Sequence, residues 1–132
     1  MTDSTAPALS RIRLHLARSK EFPEGSARHG YEFVAPLDGS GHIDLDAWRT
    51  VRAACTVERF WGNDAPEQGL LVHRAGGVNG ASWVFDYEQG EIEDDETGYR
   101  FADHAFVPGE YVSLREEDGD MHTFQVFTVN PA

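Results

Sequence analysis

The sequence predicts a mainly β chain: a single-domain small antiparallel β-barrel, partly open, of seven to eight strands with one short α-helix. Three observations carry this. Short stretches of alternating apolar and polar residues recur along the 132 residues, as half-buried strands require. Gly, Pro and Asp clusters separate them at the spacing of an all-β domain. Only one stretch, Asp44 to Ala54, sets its apolar residues at helical spacing. Closing so many short strands into a barrel removes exposed edges, which favours that architecture. The expected organisation is a disordered, polar lead over 1–9 and one barrel domain over 10–132,. A chain of this length buries roughly two-thirds of its unfolded surface, enough for a core without staples. Cys55 is the one cysteine, so no internal disulfide is expected,.

In chain order, Ile12, Leu14 and Leu16 alternate with Arg11, Arg13 and His15 as a half-buried strand,. Residues 19–29 hold Pro23, Gly25 and Ser26 and read as loop. Tyr31, Phe33, Ala35 and Leu37 form a second strand, stopped by Pro36 and the Asp38-Gly39-Ser40-Gly41 turn,. Asp44 caps the helix, and Asp46 sits in its first turn, where the helix dipole favours a carboxylate. Leu45, Trp48, Val51 and Cys55 share one face,. A helix this short must pack on a sheet to persist.

Cys55 to Trp61 then reads as strand, 62–69 as polar loop, and Leu70 to His73 as a short strand ended by Gly76-Gly77 and Asn79-Gly80. In Ser82 to Tyr87, Trp83, Phe85 and Tyr87 share a face and Val84 takes the other. Residues 86–96 carry seven acidic side chains and no basic one, as an exposed loop would,. Tyr99 to Phe106 returns to strand, with a parity break that implies a bulge or bend.

Phe106 to Val129 closes the chain as a hairpin around Asp118-Gly119,. A two-residue loop would set Val112 opposite Gln125 and mix polar with apolar side chains on both faces. A three-residue loop, Glu117-Asp118-Gly119, sets Val112 opposite Phe124 and gathers Val112, Leu114, Phe124 and Val126 on one face. A one-residue slip reverses every side chain, so burial selects the second register.

The run Phe106-Val107-Pro108-Gly109-Glu110-Tyr111-Val112-Ser113-Leu114 resembles the strand entering the flavin-binding barrel of ferredoxin-reductase-type enzymes. That family continues with Arg-x-Tyr-Ser, which holds the flavin; here the matching place reads His122-Thr123-Phe124-Gln125. The resemblance, confined to this hairpin, implies a barrel hairpin. The missing arginine, tyrosine hydroxyl and serine argue against a working flavin site.

Charge narrows the partners. Residues 1–59 hold eight basic and eight acidic side chains; residues 60–132 hold three and fifteen, which accounts for the whole net charge of −12. Such a surface repels nucleic acid and anionic membrane, so neither is expected as a partner. A basic protein would be attracted, although solubility alone also accounts for the charge. No apolar run approaches membrane-spanning length and the first residues lack an apolar leader, so a cytoplasmic protein is expected.

The candidate chemistry is thin. Six histidines show no ligand spacing,. A cross-strand set of Asp103, His104 and His122 is the one metal arrangement to weigh, and nothing in the sequence requires it. The acidic run at 91–96 lacks the spacing of a calcium loop. Cys55 lies on an apolar face without a base beside it, so it reads as packing. Trp48, Trp61 and Trp83 read as core, but aromatic residues at a barrel mouth also line clefts. Trp83, His104, Tyr111 and His122 are the candidate ligand-binding residues on that ground. The expected function is a non-catalytic binding or regulatory module for a small molecule or a basic protein, without a cofactor. The alternative is a small enzyme or flavin-associated protein with its site at the mouth around Tyr111 and His122.

Overall fold

The computed structural model of the chain describes residues 8–74, 82–87, 99–101, 105–115 and 121–132. The elements are β1 (Ser10–Leu16), β2 (Ser26–Ala35), α1 (Leu45–Val51) running into a 3-10 turn (Arg52–Ala54), β3 (Thr56–Trp61), β4 (Glu67–Arg74), β5 (Ser82–Asp86), β6 (Tyr99–Phe101), β7 (Tyr111–Arg115) and β8 (Met121–Pro131). The fold is mainly β with one short helix, as the sequence predicts. Each strand pairs antiparallel with the next, and β1 also pairs with β8, so one curled sheet closes on itself. Among the described residues, β6 and β7 are joined by the pair Arg100 and Arg115. No helix among the described residues is long and apolar enough to cross a membrane.

Alternation sets the wall. Ile12, Leu14 and Leu16 of β1 are buried while Arg11, Arg13 and His15 face out. Each fully buried branched side chain contributes about 1.5–3 kcal/mol. Opposite them stand Phe33 and Tyr31 of β2. The middle of the barrel is filled by Tyr31, Phe33, Phe85, Phe106 and Phe124. Their rings meet edge-on or tilted, with Tyr31–Phe124 at 5.1 Å and Phe33–Phe106 at 5.3 Å, the arrangement that opposed ring quadrupoles favour.

Two strands start earlier than alternation alone indicates. β2 begins at Ser26, inside the stretch expected to be loop. His29 occupies an inward position and Gly30 an outward one, so neither registers as part of an apolar pattern. Gly30 lies between His15 and Phe60 across the ladders. A Cβ there would collide with the Leu14 carbonyl oxygen and come within 3.1 Å of the Phe60 ring. Phe60 covers the glycine, and the Arg13 guanidinium lies 4.3 Å above that ring. β4 likewise begins at Glu67 rather than Leu70, because Gln68 and Glu67 extend the ladder opposite Glu58 and Arg59.

The remaining departures are local. Leu9, counted in the disordered lead, packs against the core; residues 1–7 lie outside the described residues. β2 stops at Ala35, with Leu37 continuing only as a bridge to Ile43. Phe106 is buried but lies outside β6. The turn at 107–110 bonds Glu110 N–H to the Val107 carbonyl, and Gly109 has φ +98°, the position that a type II turn reserves for glycine. The closing hairpin takes the register that burial selects: Val112 faces Phe124 and Leu114 faces His122. Its loop, the glycine turns at 76–80 and most of the acidic stretch lie outside the described residues.

The helix replaces part of the sheet. Asp44 Oδ1 accepts from the Ala47 N–H at 3.1 Å, the expected cap. β3 starts at Thr56, opposite Leu70. Leu71 N–H donates to the Cys55 carbonyl, but Cys55 N–H turns back to the Arg52 carbonyl. The Leu71 carbonyl thus loses its ladder partner, and the Trp48 indole N–H supplies one at 3.0 Å.

Cys55 is fully buried at this junction, and burial pushes its thiol up to about 11. The thiolate is the reactive form. Alkylation of the native chain by iodoacetamide at neutral pH is therefore expected to follow global unfolding. A fast reaction with the folded protein would contradict that.

Candidate functional site

Successive strands run in opposite directions, so the barrel has two ends with different inhabitants. At the end covered by α1, Trp48, His73 and Trp83 form a ring cluster. The centroids of His73 and Trp83 are 4.7 Å apart, those of Trp48 and Trp83 5.5 Å, and those of Trp48 and His73 6.2 Å. A cavity of about 340 Å³ opens between the helix and β4, lined by Trp48, Arg52, Ala53, Leu70, Leu71, Val72 and His73. This volume falls within the range of small-ligand pockets, roughly 300–1,000 Å³. Trp83 is buried and backs the cluster without lining the cavity. Burial, and then the nearby Arg49 charge, lower the basicity of His73 below that of an ordinary histidine, which favours a neutral imidazole at pH 7. The Arg52 guanidinium stands 5.8 Å above the Trp48 ring.

The opposite end gathers Phe22, His29, Trp61 and His122. His29 packs against Phe22 at 4.6 Å and Trp61 at 4.8 Å, and Trp61 lies 6.3 Å from His122. The Arg59 guanidinium lies 4.2 Å over Trp61 and 3.9 Å from the Glu67 carboxylate. Ser26 Oγ and His29 Nδ1 are hydrogen-bonded at 2.6 Å, and Ser26 Oγ also accepts the Arg28 N–H. These contacts knit the start of β2 to the end of β3, with aromatic and charged groups packed on one another.

Of the four residues expected at one mouth, the three that are described, Trp83, Tyr111 and His122, are not brought together. Trp83 opens β5 at the helix end, whereas His122 lies near the start of β8 at the other end, because odd and even strands run oppositely. Tyr111 points outward opposite Gln125 and is 59% exposed. His104 and Asp103 lie outside the described residues. Among the described residues no group of three His, Cys, Asp or Glu side chains could hold a metal ion. In the stretch matching the flavin motif, Phe124 is buried in the core, and the Gln125 side-chain amide donates to the Gly109 carbonyl.

Sequence reasoning missed Arg52, His73 and the cavity itself. Two signals were present. His73 continues the inward set of Leu71, a polar residue at an apolar position. Arg52 follows Trp48 by four residues, the spacing that places side chains together along a helix. Compared with protein-family models, curated proteins and solved structures, the chain matches none.

Proposed function

We propose that this chain is a small-molecule binding module whose ligand occupies the cavity between α1 and β4. The single observation that carries the reading is the cavity lining: apolar walls from Trp48, Ala53, Leu70, Leu71 and Val72, with Arg52 and His73 as its polar groups. That is the usual make-up of a ligand site, in which a few polar groups orient what apolar walls hold. We place the module in the cytoplasm, in keeping with its acidity and the lack of a long apolar run in the sequence.

The test fills the site. Ala53 is exposed in the 3-10 turn and lines the cavity, so Ala53→Trp occupies it without disturbing the core. Fragments found by ligand-observed NMR are expected to quench tryptophan fluorescence saturably in the wild type and to lose binding in Ala53→Trp. Binding that survives this substitution removes the cavity from consideration.

A second reading has its own support, the concentration of all the net charge of −12 in residues 60–132. It is a binding module for a basic protein surface, with encounter raised by electrostatic attraction. Capture of such a partner should fall steeply between low and physiological salt and be indifferent to Ala53→Trp. Salt-independent capture would exclude it.

A further inference from the structure

We infer that the ligand is a planar aromatic monocarboxylate, seated with its ring on the apolar lining of the cavity and its carboxylate on Arg52. This rests on the cavity being the binding site. The chain carries 23 Asp and Glu against 11 Lys and Arg, yet among the described residues no carboxylate lines this cavity. Arg52 is the one charged side chain among the described lining residues, which favours an anion over a cation. Arg11 and Arg13 face Glu32, Arg49 faces Asp46, and Arg59 faces Glu67. Arg52 has no ion pair among the described residues; its neighbour is the indole of Trp48. A guanidinium held over an aromatic face keeps its donor fork available for two parallel bonds to one carboxylate.

The apolar lining decides what the anion is attached to. Trp48 lines the cavity although it is only 5% exposed, and Leu70, Leu71, Val72 and Ala53 offer no hydrogen-bonding side chains. The indole N–H is already committed to the Leu71 carbonyl, so sugar hydroxyls find few partners there. A volume of about 340 Å³ is at the small end for ligand pockets and suits one or two fused rings,. A single guanidinium suits one carboxylate better than the several charges of a nucleotide phosphate chain.

The experiment uses the full chain with two probes, naphthalene-2-carboxylate and its neutral counterpart 2-naphthalenemethanol. Affinities are read by tryptophan fluorescence and calorimetry for the wild type, Arg52→Gln and Ala53→Trp, with circular dichroism melts as the check on folding. The wild type is expected to bind the carboxylate at least tenfold more tightly than the alcohol. Arg52→Gln should remove that preference, and Ala53→Trp should abolish binding of both. Equal binding of the two probes in the wild type, or a preference that survives Arg52→Gln, overturns the ligand class and leaves the site standing. Failure of both probes to bind, or binding that persists in Ala53→Trp, overturns the site and this inference with it.

Discussion

The Gly30→Val variant is expected to lose a large part of its stability and to melt far below the wild type. At most β positions a glycine can gain a side chain for little, because strands favour branched residues. Here the added Cβ meets a backbone oxygen, that of Leu14, and not the movable end of a side chain. The β1–β2 ladder would have to part beside its bulge, where Leu14 faces Tyr31 and His15 faces Gly30. Ordinary overpacking costs about 1–3 kcal/mol because side chains can shift. Parting a ladder over the core costs more, roughly 4 kcal/mol or above, against a total stability of about 5–15 kcal/mol. Gly30→Ala should already lower the urea midpoint sharply. Combining it with Phe60→Ala removes the 3.1 Å ring contact but leaves the carbonyl in place, so no rescue is expected. Gly39→Ala is the control: nothing lies within 4 Å of its added Cβ, and it should stay within about 0.5 kcal/mol of wild type. A Gly30→Val protein that melts with the wild type would refute the close approach.

Trp48→Ala is expected to destabilise the barrel by about 3–5 kcal/mol, as buried aromatic truncations do. Two losses combine in it. The ring that packs against Trp83 and His73 disappears, and the Leu71 carbonyl loses the donor that stands in for a ladder partner. Trp48→Phe separates them. It keeps a smaller aromatic ring but removes the N–H, and the unsatisfied acceptor alone should cost about 1–3 kcal/mol. The urea midpoint should fall further for Trp48→Ala than for Trp48→Phe, and Cys55 alkylation should accelerate in the same order. If Trp48→Phe matched the wild type, water or another donor would be serving that carbonyl and the indole would be only a packing element.

These two positions show what could be read from the sequence and what could not. Period-two burial was readable wherever one face was apolar, as in β1 and the closing hairpin. There a single slip would have exposed Phe124 and Val126, so the register followed from burial alone. The helix was readable because Asp44, Leu45, Trp48 and Val51 supply both cap and stripe. The start of β2 was hidden because Gly30 and His29 interrupt the alternation. Their reason for being there, a neighbouring strand's carbonyl and the rings of Phe60 and Trp61, exists only across strands. The candidate site was harder still. Trp83 was identified as an aromatic near a barrel end, but which end each residue reaches depends on strand direction. His122 and Trp83 are thereby separated, while His73 and Arg52, from different elements, meet at one opening.

The pairing of β1 with β8 bears on how fast this molecule can assemble. Ile12 must find Val129, and Leu14 must find Val126, nearly the whole chain apart, whereas β4–β5 and β7–β8 join close neighbours in sequence. Entropy opposes that last closure until local hairpins have shortened the effective loop. Refolding is thus expected on the millisecond-to-second scale typical of non-local β topologies. Substitutions at the seam, such as Val129→Ala, should chiefly speed unfolding, while those in the β7–β8 hairpin should slow refolding,.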